Sequence, residues 1–310
     1  MTTSDQTDEL PELVFALVGA VGTDLARISD ALVRSVGRTG YTVHQIHLIE
    51  LLFAFQRWRK PDPSAWDGRI TQRMNMGNEF RELLKRGDAL ALLTMLRMQS
   101  ERNETVVPSG RAWLLRSLKH PDEVRTLRET YGDNFFLIGA YTERERRIVN
   151  LASEIAQSQH ASSPGLFRDK AEALNNRDES EKEDNKLGQN VRDTFPFADV
   201  FINCSNGRDI EKGIERFVEI VFDHPNRTPT RDEHGMFHAY GAALRSGDLS
   251  RQVGAAITTI EGDIVALGTN EVPKARGGQY WTDDTDDRRD YHLGYESNNR
   301  VKRYDHLPMP

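Results

Sequence analysis

Runs of apolar residues and their spacing divide this chain into alternating strands and helices. Leu13-Val14-Phe15-Ala16-Leu17-Val18 is an unbroken apolar run bounded by Pro11 and Gly19. It is too short for a helix and reads as a buried parallel strand. From Asp24 to about Thr39, Leu25, Ile28, Leu32, Val33 and Val36 recur at helical spacing, with Gly37 and Gly40 where the helix stops. Tyr41 to Leu48 then alternates apolar and polar positions, so this stretch predicts a βαβ unit. Residues 56–77 hold Trp58, Pro61, Pro63, Trp66, Gly68 and Gly77 with no clear period, which predicts a long loop or insertion. Asn78 to Arg102 is helical by pattern, with an interruption at Gly87. Beyond it the pattern predicts a strand over Arg111 to Leu118, a helix over Asp122 to Thr130, and a strand over Asn134 to Ala140. A helix over Glu143 to Gln159, a strand over Phe197 to Asn203 and a helix over Gly207 to Phe222 follow. Such alternation is that of an α/β layer sandwich.

Two stretches break the rhythm. RDESEKEDNK, residues 177–186, has five acids, three bases and no apolar residue, and is expected to be a solvated lid or loop. His224-Pro225-Asn226-Arg227-Thr228-Pro229-Thr230 holds two prolines that no regular element crosses, so a domain boundary is expected there. After it come a helix over Arg231 to Ser246 and a hairpin of Val253–Thr259 and Asp263–Gly268 turned at Gly262. From Lys274 onward apolar content collapses. Five Asp between Asp283 and Asp290, then RVKRYDHLPMP, describe a segment expected to pack little.

Composition narrows the function. The 310 residues carry 41 Lys+Arg against 48 Asp+Glu, a net charge of −7, which argues against an extended nucleic-acid footprint. No apolar run approaches the ~20 residues that span a bilayer. The opening MTTSDQTDELPE lacks the basic and then apolar pattern of a signal peptide, so the expectation is a cytoplasmic protein with no membrane role. Cys204 is the single cysteine, which excludes an intrachain disulfide and any metal site needing two thiolates from one chain.

Three places could carry chemistry. Gly19-Ala20-Val21-Gly22-Thr23-Asp24 joins the first strand to its helix, where backbone N–H groups and the helix dipole favour an anion. Gly19, Gly22 and Thr23 are the candidate phosphate-binding residues. The glycines are closer together than in a G-x-x-x-x-G-K-[ST] loop, no lysine follows, and Asp24 would repel phosphate, so a phosphate site and a merely structural turn both stay open. His234 and His238 share a helix face at metal-compatible spacing, yet EHGMFH is not H-E-x-x-H, and a packing pair is the plainer reading. His44 and His47 alternate with apolar residues on a strand. Arg251 precedes one strand of the hairpin and Asn270 follows the other, places where a basic group can meet an anion and an amide a sugar or base edge.

SRQVGAAI followed by GDIVALGTNEVP resembles the first two strands of the zinc-dependent cytidine and deoxycytidylate deaminase family. The lead-in TPTRDEHGMFHAYGAALRSGDLSRQVGAA resembles the anti-phage subgroup, in which a degenerate P-loop, nucleotide-kinase-like domain precedes the deaminase. LVGAVGTDL, AWLLRSLKHPDEVRTLRETYGDNFFLIGAYTERERR and LGQNVRDTFPFADVFIN are similar to that amino-terminal domain, and the likeness runs over most of residues 11–304. The resemblance implies a three-layer P-loop kinase-like α/β domain over 11–224 and an incomplete cytidine-deaminase-like α/β domain over 230–310. It implies an activity in the complete protein, hydrolytic conversion of cytosine to uracil in dCMP or dCTP, with Asn270 at the sugar or base and Arg251 near the phosphates.

In the family an H-A-E stretch and a P-C-x-x-C stretch hold zinc, the metal activates water, and the Glu moves protons. Here no His is followed by x-Glu, and one cysteine cannot make C-x-x-C. Zinc is therefore expected in the complete family member and not in this chain, which reads as a fragment with no catalytic residue and no deaminase activity alone. Deoxycytidine nucleotides are the expected partners, and self-association stays open. The alternative is a nucleotide-sensing regulatory module acting on a partner. An active nucleotide kinase is disfavoured by the missing loop lysine.

Overall fold

The apolar run near the amino terminus becomes the central strand of a sheet. In the computed structural model, which describes residues 10–60, 66–104, 110–181 and 186–296, β1 (Leu13–Gly19) is buried along its whole length. Parallel neighbours on both edges and helices on both faces require such a strand to be apolar throughout. β1 pairs in parallel with β3 (Gly110–Leu118) and β4 (Phe135–Tyr141), while β2 (Tyr41–His47) and β5 (Val200–Asn203) form the edges. The order is β2-β3-β1-β4-β5. The intervening helices are α1 (Leu25–Gly37), α2 (Trp66–Leu84), α3 (Ala89–Glu104), α4 (Pro121–Tyr131), α5 (Arg144–Ser158), α6 (Arg168–Glu179), α7 (Val191–Thr194) and α8 (Gly207–Val221).

Successive residues of β1 face opposite layers, which is why the unit has two cores. Phe15 and Leu17 pack with Ile28 and Leu32 of α1 and with Ile214 and Phe217 of α8. Val14, Ala16 and Val18 face the other way, toward Trp113, Leu115, Met98 of α3, and Val124 and Leu127 of α4. Phe15 anchors the first core, with ring centroids 5.5 Å from Phe136 and 6.1 Å from Phe217. The result is a three-layer α/β sandwich. A smaller apolar group, including Ile148, Leu151 and Leu174, joins α5 to α6 at the side.

Three expectations for this unit are corrected. Trp66–Gly77 is not a loop but the first half of α2; burial of Met74, and of Met76 and Phe80 on the second core, outweighs the glycines at 68 and 77. Pro61 and Pro63 lie outside the described residues. α6 has no clear apolar period and was not expected; Ala171 and Leu174 dock it on α5, with Arg144 and Arg147 of α5 pairing with Glu172 and Glu179 of α6. The charged run 177–186 is not uniformly solvated. Arg177–Glu179 complete α6, Asp178 is fully buried, and Glu181 accepts hydrogen bonds from Asn78 at 2.6 Å and Arg177 at 2.7 Å. Residues 182–185 of that run lie outside the described residues.

Contacts divide the chain between His224 and Pro225. In the second unit α9 (Arg231–Ala243) begins with a reciprocal cap, Thr230 and Glu233 each accepting the other's backbone N–H. It packs on an antiparallel hairpin of β6 (Gly254–Thr258) and β7 (Ile264–Thr269). Helix and strand approach so closely that a Cβ at Gly254 would lie 1.9 Å from the Ala239 carbonyl oxygen. Gly262, at φ +99°, makes the turn. The stretch after Lys274 packs more than expected: Tyr280, Arg289 and Asp290 are buried, Arg289 pairs with Asp287 at 2.6 Å, and a single turn, α10 (Asp290–Leu293), follows. Its tail RVKRYDHLPMP lies outside the described residues. Among the described residues no helix is long and apolar enough to cross a membrane.

The weight placed on Phe15 is measurable. Phe15→Ala is expected to destabilise the first unit by ~3–5 kcal/mol in urea unfolding followed by tryptophan fluorescence; a loss below ~1 kcal/mol would show that the core does not rest on this ring.

Candidate functional site

In a parallel α/β sheet the strand ends that feed the helices gather loops at one edge, and ligands bind there. In the first unit that edge carries the glycine turn. Gly19 closes β1, and Gly22 adopts φ +89°, where a Cβ would lie 2.7 Å from the Arg147 carbonyl oxygen, so the position needs glycine on two counts. Thr23 donates its N–H to the Ala20 carbonyl at 3.1 Å, closing the turn. Asp24 caps α1, its carboxylate accepting the Arg27 N–H at 3.0 Å. The helix end expected to attract an anion thus already holds a carboxylate of its own.

The lysine absent after the turn is supplied from another strand. Lys119 lies just past β3, and its ammonium donates to the Gly19 carbonyl at 2.9 Å and to Asp178 Oδ2 at 2.8 Å. The same Asp178 oxygen accepts the Val21 N–H at 2.7 Å. Asp178 is fully buried at the end of α6, and its second oxygen, Oδ1, has no hydrogen-bond partner among the described residues.

These groups form one wall of a cleft of about 160 Å³ whose other walls come from the end of β2, the end of β3 and α2. Much of the lining is apolar, with Leu48, Ile49, Ile70 and Met74, and four cationic side chains interrupt it: Arg73, Arg81, Arg116 and Lys119. Three of the four have partners. Arg73 donates to Glu50 at 2.8 Å. Arg81 is fully buried, donates to Asn78 at 3.1 Å and to the Leu187 carbonyl at 3.3 Å, and faces the equally buried Glu123 at 3.6 Å. Glu123 is held in turn by the Lys119 and His120 backbone N–H groups at 2.7 and 3.1 Å.

Arg116 differs. Set in register with Leu17 on β1 and His47 on β2, it makes no hydrogen bond or ion pair among the described residues, and its buried Nε has no partner. Burial pushes its guanidinium below the ordinary arginine value, against the weaker pull of Asp30, Glu50 and Asp24. Burial likewise pushes the His47 imidazole below its usual range, helped by the Arg116 and Arg73 charges and opposed by Glu50. A half-buried guanidinium that lines a largely apolar cleft and has no hydrogen-bonded anion among the described residues has the chemistry to hold a carboxylate or phosphate by two hydrogen bonds from its planar fork.

The other candidates fare differently. Gly19, Gly22 and Thr23 do come together as a turn, though of their backbone N–H groups that of Thr23 is used within it. Asn270 follows β7 and its amide is fully engaged nearby: Oδ1 accepts from the Val253 N–H at 2.7 Å and Ser246 Oγ at 2.9 Å, and Nδ2 donates to the Arg251 carbonyl at 2.7 Å and Asp248 at 3.2 Å. Arg251 is joined to Asn270 through that carbonyl, while its own side chain is exposed. His234 and His238 touch at 3.2 Å between Nε2 atoms, and no cluster of three or more metal-ligating side chains occurs among the described residues. Arg116, Lys119 and Asp178 were missed by sequence reasoning. The first two had a signal, basic residues at the carboxyl end of a predicted strand; Asp178 had none, since it sits in a run of charges.

Solved structures similar to this chain include a gluconokinase from Sinorhizobium meliloti 1021, 12% identical, with a TM-score of 0.33, covering 70% of this chain and 99% of that one. Shikimate kinase from Bacteroides thetaiotaomicron is 11% identical, with a TM-score of 0.33 and coverage of 68% and 98%. An uncharacterized protein from Eubacterium ventriosum ATCC 27560 is 8% identical at a TM-score of 0.31, with the same coverage. Likeness at this level says nothing of ligand or chemistry. No protein-family model matches the chain, and no curated protein matches it.

Cys204 gives a check on the site's surroundings. Its thiol is buried, donates to the Ile202 carbonyl at 3.4 Å, and is pushed up to about 11 by burial, with Asp24 adding to the rise. A thiolate is therefore scarce at neutral pH, and alkylation of the folded protein at pH 8 is expected to run about a hundredfold slower than that of an exposed cysteine, becoming ordinary only in denaturant. Fast labelling of the native protein would contradict this burial.

Proposed function

We propose that the first unit is a nucleotide-binding module that does not transfer phosphate, and that the chain belongs to the regulatory part of an anti-phage deoxycytidine-nucleotide deaminase. In that reading the complete protein hydrolyses the cytosine of dCMP or dCTP to uracil, and zinc with its proton shuttle comes from sequence that this chain lacks. Arg251 and Asn270 would mark the nucleotide end of the deaminase half, with Asn270 fixing the local backbone through its hydrogen bonds.

The observation that carries the proposal is Arg116. An unpaired, half-buried guanidinium at the carboxyl edge of a parallel sheet, beside an apolar cleft and a glycine turn, fits a ligand with an anionic head and an apolar or aromatic body. Two features favour binding over turnover. Asp24 occupies the α1 end, where a transferring loop would present a lysine, and the lysine that reaches the turn, Lys119, is held by Asp178.

Thermal unfolding tests this directly. A saturating deoxycytidine nucleotide, at about 100 times its Kd, is expected to stabilise the wild-type chain by ~2.7 kcal/mol, and Arg116→Met to remove most of that gain while leaving the unliganded melting temperature nearly unchanged. With zinc added, neither dCMP nor dCTP is expected to yield uracil nucleotide, and ATP is expected to phosphorylate neither dCMP nor dCDP. No shift at millimolar nucleotide would remove the proposal; turnover in either assay would replace it.

A further inference from the structure

Two donors converge on a single buried oxygen at the glycine turn. The Val21 N–H and the Lys119 ammonium reach Asp178 Oδ2 at 2.7 and 2.8 Å, and Lys119 is anchored to the turn through the Gly19 carbonyl. A backbone N–H in a strand-to-helix turn and an ammonium beside it are the groups that hold a phosphoryl oxygen when one is present. Here a carboxylate of the chain takes that place.

The fit of this carboxylate is incomplete. Asp178 is fully buried, yet Oδ1 has no partner among the described residues, and a carboxylate oxygen out of water and without a donor is costly. Close by, Arg147 pairs with Glu179 at 2.6 Å, but its buried Nε has no partner among the described residues either. The cleft is continuous with the turn, since Val21, Lys119 and Asp178 line it together with Arg116. A ligand seated in the cleft with its anionic end at the turn would meet the donors that Asp178 now uses.

We propose that the glycine turn is a phosphoryl-group site, built from the Val21 N–H and the Lys119 ammonium, that the protein keeps filled with its own Asp178. A phosphorylated ligand enters by displacing that carboxylate, so occupancy of the site and docking of the end of α6 exclude each other. The turn is thereby both a binding site and a sensor: ligand binding frees the last turn of α6, and the helix end returns when the ligand leaves. This inference rests on the reading of the first unit as a binder of phosphorylated ligands, and it concerns how that site is regulated.

The probe is inorganic pyrophosphate, titrated calorimetrically into the full chain alongside dCTP. Asp178→Asn keeps the side chain's size and an acceptor for Val21 but removes the competing charge, and is expected to tighten pyrophosphate binding about tenfold or more. Lys119→Met in the Asp178→Asn background is expected to return that gain. Hydrogen exchange on the wild-type chain supplies a second measurement should the Asn variant fold poorly: saturating pyrophosphate is expected to raise exchange in the last turn of α6 and not in α1. Unchanged or weaker pyrophosphate binding in a folded Asp178→Asn variant, or unaltered exchange at α6 under saturation, overturns the inference.

The two readings fail separately. If pyrophosphate binding tightens as stated but no nucleotide binds better than pyrophosphate, the nucleotide-sensing proposal falls and this one stands. If dCTP stabilises the wild-type chain and Asp178→Asn alters the affinity of neither ligand, the reverse holds.

Discussion

The buried carboxylate of Asp178 is the constraint on which the ligand edge of the first unit depends. A charge out of water must find opposite charge and hydrogen-bond donors, or it destabilises the fold. Asp178 finds them on two elements distant in sequence, the turn after β1 and the residue after β3, and so ties α6 to the middle of the sheet. The neighbouring Arg81–Glu123 pair ties α2 to α4 in the same manner, with Glu123 collecting the backbone N–H groups of Lys119 and His120. Lys119 is common to both groups: its backbone serves Glu123 and its ammonium serves Asp178. The edge of the sheet is thus organised by charge, whereas its interior is organised by apolar packing.

That division explains why Arg116 stands out. In a neighbourhood where each of the other cations has a carboxylate or a carbonyl, one guanidinium without either is a place where the fold has left its own electrostatics open. The strand register fixes it there, because Arg116 must sit opposite Leu17 and His47 as long as β3 runs between β1 and β2. Its backbone belongs to an inner strand of the sheet rather than to a loop, and a binding group mounted on such a strand is positioned by the sheet.

The sheet was legible in the sequence because each buried strand shows itself as a local pattern. Leu13 to Val18 needed no knowledge of its neighbours to be read as a buried parallel strand, and the period of Ile210, Ile214, Phe217 and Val218 announced α8. The first part of α2 and all of α6 were not legible for the opposite reason: glycines interrupt one and charges fill the other, and both are held by contacts to elements far along the chain. The site divides in the same way. The glycine turn is contiguous and could be seen, whereas the contact of Lys119 with Gly19 spans 100 residues and that of Val21 with Asp178 spans 157, distances over which no motif is written. A segment of nothing but charged and polar residues reads as solvated until a partner for one of its acids is known.

In the second unit the amide of Asn270 works as a knot. Each of its polar atoms is bound, and the four partners, Ser246, Asp248, Arg251 and Val253, are strung along the stretch that leads from α9 into β6. The end of β7 and the start of β6 are consequently fastened to one another by a side chain as well as by the ladder. Arg251 is carried on this fastened stretch, so its exposed side chain stands on backbone that the Asn270 amide ties down.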